Sequence, residues 1–329
     1  MQDSEFTAFI EKKMKKMLKI NLSLISVLLV ILLFVSCRGK QQNSPTSGVT
    51  YIAVDETFAP IIQNEINVFE SIYISAGIID TVCSEIDAFN LLFKDSVRMI
   101  IATRTLTKEE KEYFNSKTIF PKELKIAVDG ISFIVNNDNQ DTLLTTKVIQ
   151  KILLGEIKSW NQIDPKSNLG PIKMIFDNRN SSTAEYAVKT ICENKQLSPD
   201  LSAVNSNLDV IDFVSKTPNA IGIVGASWIS NHSDSTCMSF LDRIKVVALS
   251  KEEEATPDNS YQPYQAYMAT GQYPYCRNVY AIMTEPRVGL ITGFASFIAS
   301  DRGQRIILKS GILPATQPLR IVNVRNDAP

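Results

Sequence analysis

The chain has 329 residues, of which 34 are Lys or Arg and 35 are Asp or Glu, and 44% are hydrophobic. That length supports two domains of ordinary size, and the near-neutral balance offers no basic face for nucleic acid. A single histidine, His232 within SNHSDS, and five cysteines with no CxxC pair exclude His-rich metal sites, zinc ribbons and dithiol redox motifs.

Lys12, Lys13, Lys15, Lys16 and Lys19 form a basic n-region, and an unbroken apolar run from Val27 to Val35 follows it. The run is short for a membrane span and ends at Ser36-Cys37, which predicts a secretory signal over residues 1–36. Asp3, Glu5 and Glu11 are foreign to an n-region, so Met14 is a second candidate start. An uncut membrane anchor is the alternative to cleavage. The stretch Phe34-Val35-Ser36-Cys37 resembles a bacterial lipobox, with Phe34 where leucine is usual. It implies a lipid on Cys37 that holds the protein to a membrane. Residues 37–48 (CRGKQQNSPTSG) lack periodicity and read as a tether. Removing residues 1–36 takes away five lysines and three acids, which moves the net charge from −1 to −3.

Beyond the tether, TYIAV (50–54) predicts a strand and Asp55-Glu56-Thr57 a turn. Pro60, Ile62, Ile66 and Phe69 then predict a helix, since proline is tolerated in a first helical turn. The unit repeats as a strand over 72–79 and a helix opened by Ser84 and Asp87. It repeats again as a strand over 97–102, the turn Thr103-Arg104-Thr105, and a helix capped by Thr107. Residues 124–135 (LKIAVDGISFIV) read as two strands on either side of a kink at Asp129-Gly130. There follow a helix over 145–154, a connector through Trp160, a strand over 172–175 and a helix from Ser181. A helix at 208–214, strands at 220–225, 245–249 and 279–283, and helices at 289–299 and from Asp301 to Gly311 complete the chain. Residues 251–270 carry no strong signal. Alternating strands and helices predict an α/β fold with a largely parallel sheet. In such sheets ligands bind beyond the carboxyl ends of the strands.

One strand-to-helix junction, FDNRNSSTAEY (176–186), concentrates hydrogen-bonding capacity. A helix starting near Ser181 leaves backbone N–H groups unpaired, and its dipole favours an anion there. Ser181, Ser182 and Thr183 add rotatable hydroxyls, and Arg179 adds a planar fork suited to oxyanions. Each charge-assisted bond contributes about 1.5–3 kcal/mol, so several together outweigh the cost of desolvating a small anion. Helix capping explains the hydroxyls equally well. An ion pair with Glu85 or Glu56 is the structural alternative for Arg104.

Eight stretches carry a family resemblance: VDETFAPII, SVRMIIATRTLTKEE, IAVDGISFIVNNDN, IQKILLGEIKSWNQI, NRNSSTAEY, AIGIVGASW, YPYCRNVYAIM and FASFIASDRGQRIILKSGILPAT. Over about residues 50 to 316 the chain resembles the PstS-like phosphate-binding proteins of bacterial ABC importers. The resemblance implies a type II periplasmic binding protein fold, α/β, with two lobes joined by a hinge, each a central mixed sheet flanked by helices. It also implies a site. Thr57 and the N–H of Phe58 match the first family turn, Ser84 the next helix start, and Ser181-Ser182-Thr183 the family's Ser-Gly-Thr. Three positions depart from the pattern. Arg104 stands where the family has the Asp that accepts the phosphate's proton. Asp177 stands where it has the anion-pairing Arg, and Arg179 where it has that residue's companion acid. The expected cleft lining is Thr57, Phe58, Ser84, Arg104, Arg179, Ser181, Ser182 and Thr183.

The resemblance further implies that the first lobe comprises 49–134 and a return segment 250–329, with 135–249 as the second. It implies a monomeric solute-binding protein rather than an enzyme, without cofactor or metal, that takes phosphate or a related oxyanion. Its partners would be an ABC permease with its ATPase, in the cell envelope. A sensory or surface lipoprotein with another ligand is the alternative that the exchanged charges favour. A serine hydrolase using Ser181 or Ser182 lacks a nearby base and any Gly-x-Ser-x-Gly or Ser-x-x-Lys motif.

Overall fold

The predicted run at 50–54 is the middle of β1 (Ser47–Asp55), which starts inside the segment read as a tether. The computed structural model describes Met14 and residues 43–230 and 235–316. The rest of the predicted leader, Cys37, His232 and the side chain of Cys237 lie outside the described residues. Pro60 sits in the first turn of the helix Ala59–Ile72, which buries Ile61, Ile62, Ile66 and Phe69. That helix extends to Ile72 because Phe69 and Tyr73, four residues apart, pack their rings 4.8 Å from each other. The next strand, β2 (Ser75–Cys83), therefore starts later than its β-rich composition predicts. Ser84 caps the helix Glu85–Phe93 by accepting the Asp87 N–H at 3.2 Å. The fully buried β3 (Met99–Ala102) follows. The helix Lys108–Ser116 then opens on the predicted Thr107 cap, completed as a capping box by Glu110.

β4 (Lys122–Asn136) is one continuous strand, not two. After it come β5 (Leu143–Thr145), β6 (Lys173–Phe176), β7 (Ser202–Ala203), β8 (Ala220–Gly225) and β9 (Ile244–Val246). The remaining strands are β10 (Ala248–Ser250), β11 (Ser260–Tyr261), β12 (Cys276–Met283) and β13 (Leu313–Pro314). The main sheet runs β2-β1-β3-β12-β4-β8-β6-β7, with β9 and β13 also paired to β4. β1 is parallel to β2 and β3, and β6 to β7 and β8. β12 is antiparallel to β3 and β4, and β4 to β8, so the sheet is mixed.

The feature at Asp129-Gly130 is a change of partner rather than a break. β4 pairs with β12 as far as Gly130 and with β8 from Ile131 onward. The sheet thus has two halves that share one strand. Ile52, Phe58, Phe69 and Phe294 pack in the core of the first half, and Phe133, Trp160, Phe176 and Ile221 in that of the second. Met268, Tyr273 and Tyr275, from the expected return segment, also pack in the second core. The chain therefore crosses between halves along β4 and again just before β12. The ends of β1, β6 and β8 and the crossing point of β4 and β12 come together there. Among the described residues, no helix is long and apolar enough to cross a membrane.

Candidate functional site

Strand register sets the centre of the site. Arg277 on β12 lies directly opposite Asp129 on β4, at the position where β4 changes partner. Both side chains are buried, and the Arg277 Nε donates to Asp129 Oδ2 at 3.0 Å. Nη2 lies 3.0 Å from the same oxygen. On the other side, Nη1 donates to Ser182 Oγ at 2.9 Å. The guanidinium carbon stands 5.3 Å from the centre of the Phe58 ring, a cation–π distance. One buried cation thus touches residues from both halves of the sheet.

The residues next in the chain to its contacts Phe58 and Ser182 carry hydroxyls without partners. Thr57 and Thr183 are fully buried, and the Oγ1 of each meets no hydrogen-bond partner among the described residues. A buried hydroxyl left unpaired costs about 1–3 kcal/mol, so two of them, each next in the chain to a residue that touches the guanidinium, point to a place suited to an acceptor. Thr57 is held by its backbone. Its N–H donates to Asp55 Oδ1 at 2.9 Å, and its carbonyl accepts from Ser227 Oγ at 2.9 Å. Gly225 lets Thr57 sit there, since a Cβ on that residue would come within 2.4 Å of Thr57 Cγ2 and 3.3 Å of Asp129 Oδ2.

The other side of the site is acidic. Glu56, in the short turn after β1, reaches to the start of the helix Asn207–Lys216, where the Asn207 N–H lies 3.3 Å from both of its carboxylate oxygens. Asn207 Nδ2 also donates to Glu56 and lies 3.3 Å from Asp177 Oδ2. Asn207 Oδ1 accepts the Gly225 N–H at 3.3 Å. Burial pushes Glu56 up to about 7 and Asp177 up to about 6, against the hydrogen bonds each receives. Glu85, which accepts from Thr103 Oγ1 at 2.9 Å and from the Thr103 N–H, is pushed up to about 7 by burial.

The predicted site residues separate into two groups. Phe58 and Ser182 touch Arg277, and Thr57 and Thr183, their neighbours in the chain, are buried with unpartnered hydroxyls. Ser181 lies beside them but is engaged locally: its Oγ donates to Asp177 Oδ1 at 2.6 Å and accepts the Ala184 N–H at 3.1 Å. Ser84 is a helix cap, 2.7 Å from Asp87 Oδ2. Arg104 forms two bonds with Glu110, at 2.8 and 3.0 Å, and lies 3.6 Å over the Phe89 ring. It pairs with neither Glu85 nor Glu56, because Glu110 on the following helix is the nearer carboxylate. Arg179 is exposed. Arg104, Arg179 and Ser181 instead line an open groove of about 670 Å³ together with Glu85, Phe89 and Leu197.

Arg277, Asp129, Asn207 and Ser227 were absent from the sequence-derived set. A signal for the first two was present. Each is a charged residue inside an otherwise apolar strand, and opposite charges at two such positions call for each other. Among the described residues, no group of three His, Cys, Asp or Glu side chains has the arrangement of a metal site.

A sequence profile described as the PBP superfamily domain matches residues 39–302. Among curated proteins, the chain is similar to the phosphate-binding protein PstS of Borreliella burgdorferi. The two are 26% identical over 298 residues, which covers 87% of this chain and 97% of that one. The phosphate-binding protein PstS of Staphylococcus aureus is 21% identical over 271 residues, covering 81% of this chain and 79% of that one. Among solved structures, an ABC-type phosphate transport receptor from Vibrio cholerae superposes with a TM-score of 0.61 at 18% identity. That alignment spans 81% of this chain and 100% of the other, a likeness of fold.

Proposed function

The chain belongs to the PBP superfamily, and from that premise we propose that it is the solute-binding protein of an ABC importer and captures phosphate between the two halves of its sheet. The observation that carries this reading is the buried Arg277 guanidinium, bonded to Ser182 and in contact with Phe58, whose chain neighbours Thr183 and Thr57 bury unpartnered hydroxyls. A tetrahedral oxyanion would accept from these donors and from the Phe58 N–H, which replace its hydration shell. Arg277, from a distant strand, supplies the positive charge that the sequence pattern lacks at Asp177.

Capture needs no bond to break. The two halves, residues 49–130 with the chain from Cys276 onward and residues 131–275, act as lobes that close about the two crossings at β4 and β12, a hinge motion of the kind periplasmic binding proteins make. Thr57 and Phe58 belong to one lobe and Ser182 and Thr183 to the other, so the anion draws the lobes together. The closed form is then offered to a membrane permease with its ATPase. Ser181 and Ser182 are engaged with Asp177 and Arg277, which supports binding over acyl transfer. A lipid on Cys37 would keep the protein at the envelope. Cys37→Ser is expected to move it from the membrane fraction to the soluble one.

Calorimetric titration with inorganic phosphate tests the reading. A single saturable site is expected in the wild type, with affinity reduced at least about tenfold in Arg277→Lys, which loses the fork geometry. Absence of both heat and thermal stabilisation with phosphate would refute it.

A further inference from the structure

Carboxyl groups crowd the same cleft without cations to match them. Arg277 is already faced by Asp129. Asp55, Glu85 and Asp177 are buried as well, and Glu56, in the short turn after β1, completes the row. Among the described residues none of these four is ion-paired to a Lys or Arg: Arg104 is taken by Glu110 and Lys189 by Glu185. Asp55 Oδ2 is buried without a hydrogen-bond partner among the described residues.

Glu56 and Asp177 come from opposite halves of the sheet and share one donor group. Asn207 Nδ2 bonds Glu56 and lies 3.3 Å from Asp177 Oδ2. The charged groups acting on this pair are Asp55 on β1 and Arg277 on β12, the latter itself held by Asp129. Farther out, Glu85 and Glu185 share a side-chain hydrogen bond, and both line the open groove. Asp55 adds repulsion at both members of the pair, and Arg277 opposes it at Asp177. An anion brought next to ionised carboxylates in so dry a place is repelled strongly. The two buried threonine hydroxyls nevertheless stand ready as donors.

We infer that the cleft takes up a proton from solvent together with its anion, and that the proton is held by Glu56 and Asp177 across the amide of Asn207. This rests on the phosphate reading and adds to it a dependence of capture on acidity. With one linked proton, affinity falls about tenfold per pH unit once the pair is ionised in the empty protein. Replacement of Glu56 by glutamine mimics the protonated acid and keeps the acceptor for the Asn207 N–H.

Phosphate is titrated calorimetrically into the full-length wild-type protein at pH 6, 7 and 8, in buffers of different ionisation enthalpy, so that the slope counts protons. Uptake of about half a proton at pH 7, rising towards one at pH 8, is expected beyond that bound by phosphate itself, with affinity falling about fivefold from pH 7 to 8. Glu56→Gln is expected to lose that uptake and to bind phosphate about tenfold more tightly than wild type at pH 8, a gain that a merely structural residue would not give. Proton uptake no greater than phosphate's own, with parallel affinity profiles for wild type and Glu56→Gln, overturns the inference and leaves phosphate binding intact. No heat with phosphate at any of these pH values overturns the phosphate reading itself, and this inference with it.

Discussion

Glu65 is fully buried on the helix Ala59–Ile72, and neither carboxylate oxygen has a hydrogen-bond partner among the described residues. Burial alone pushes it up to about 9, from an ordinary value of 4.5. The folded protein therefore holds this group neutral at pH 7, whereas the unfolded chain releases its proton above pH 4.5. Because the folded value is the higher one, Glu65's contribution to stability falls as pH rises from about 4.5 towards 9 and is constant outside that window. At about 1.4 kcal/mol per unit, the separation between 4.5 and 7 amounts to about 3 kcal/mol at neutral pH. Glu65→Gln has nearly the shape of the protonated acid and does not titrate. Its stability advantage over wild type is expected to grow from near zero at pH 4.5 to about 3 kcal/mol at pH 7. Urea unfolding followed by the fluorescence of Trp160 and Trp228 reads both proteins on one scale. Parallel stability curves for the two between pH 5 and 7.5 would refute the reasoning, since they would mean that Glu65 titrates alike in both states.

Arg277→Met leaves Asp129 buried with no counter-charge, which costs about 3–5 kcal/mol of stability; adding Asp129→Asn should recover much of that in thermal unfolding without restoring phosphate binding. Gly225→Ala drives a methyl into Thr57 and should cost about 1–3 kcal/mol while weakening phosphate binding, readable by calorimetry and denaturant titration. Arg104→Gln breaks a partly exposed pair with Glu110, so a stability loss of no more than about 1 kcal/mol and unchanged phosphate affinity are expected.

Local signals in the sequence were dependable where the physics is local. Pro60 in a first turn, Ser84 and Thr107 as caps, and the apolar runs of β1, β3 and β8 follow from rules that act within four or five residues. The α/β class followed from their alternation. What stayed hidden depends on partners far along the chain. Asp129-Gly130 looked like a kink because a charge and a glycine interrupt an apolar run, yet the strand continues by exchanging β12 for β8. Arg104 drew attention by following a buried strand, but the glutamate of its neighbouring capping box lies closer than the cleft does. Arg277 escaped notice because its partners are Asp129 and Ser182, 148 and 95 positions away, and only the strand register brings them together.

Sharing β4 between both halves has a mechanical consequence. Neither sheet half is complete without residues that also finish the other, so the two cores should melt as a single cooperative unit in the calorimeter. Severing the chain between Asp129 and Gly130 would then yield no independently stable fragment, and whatever tightens one core will be felt in the other.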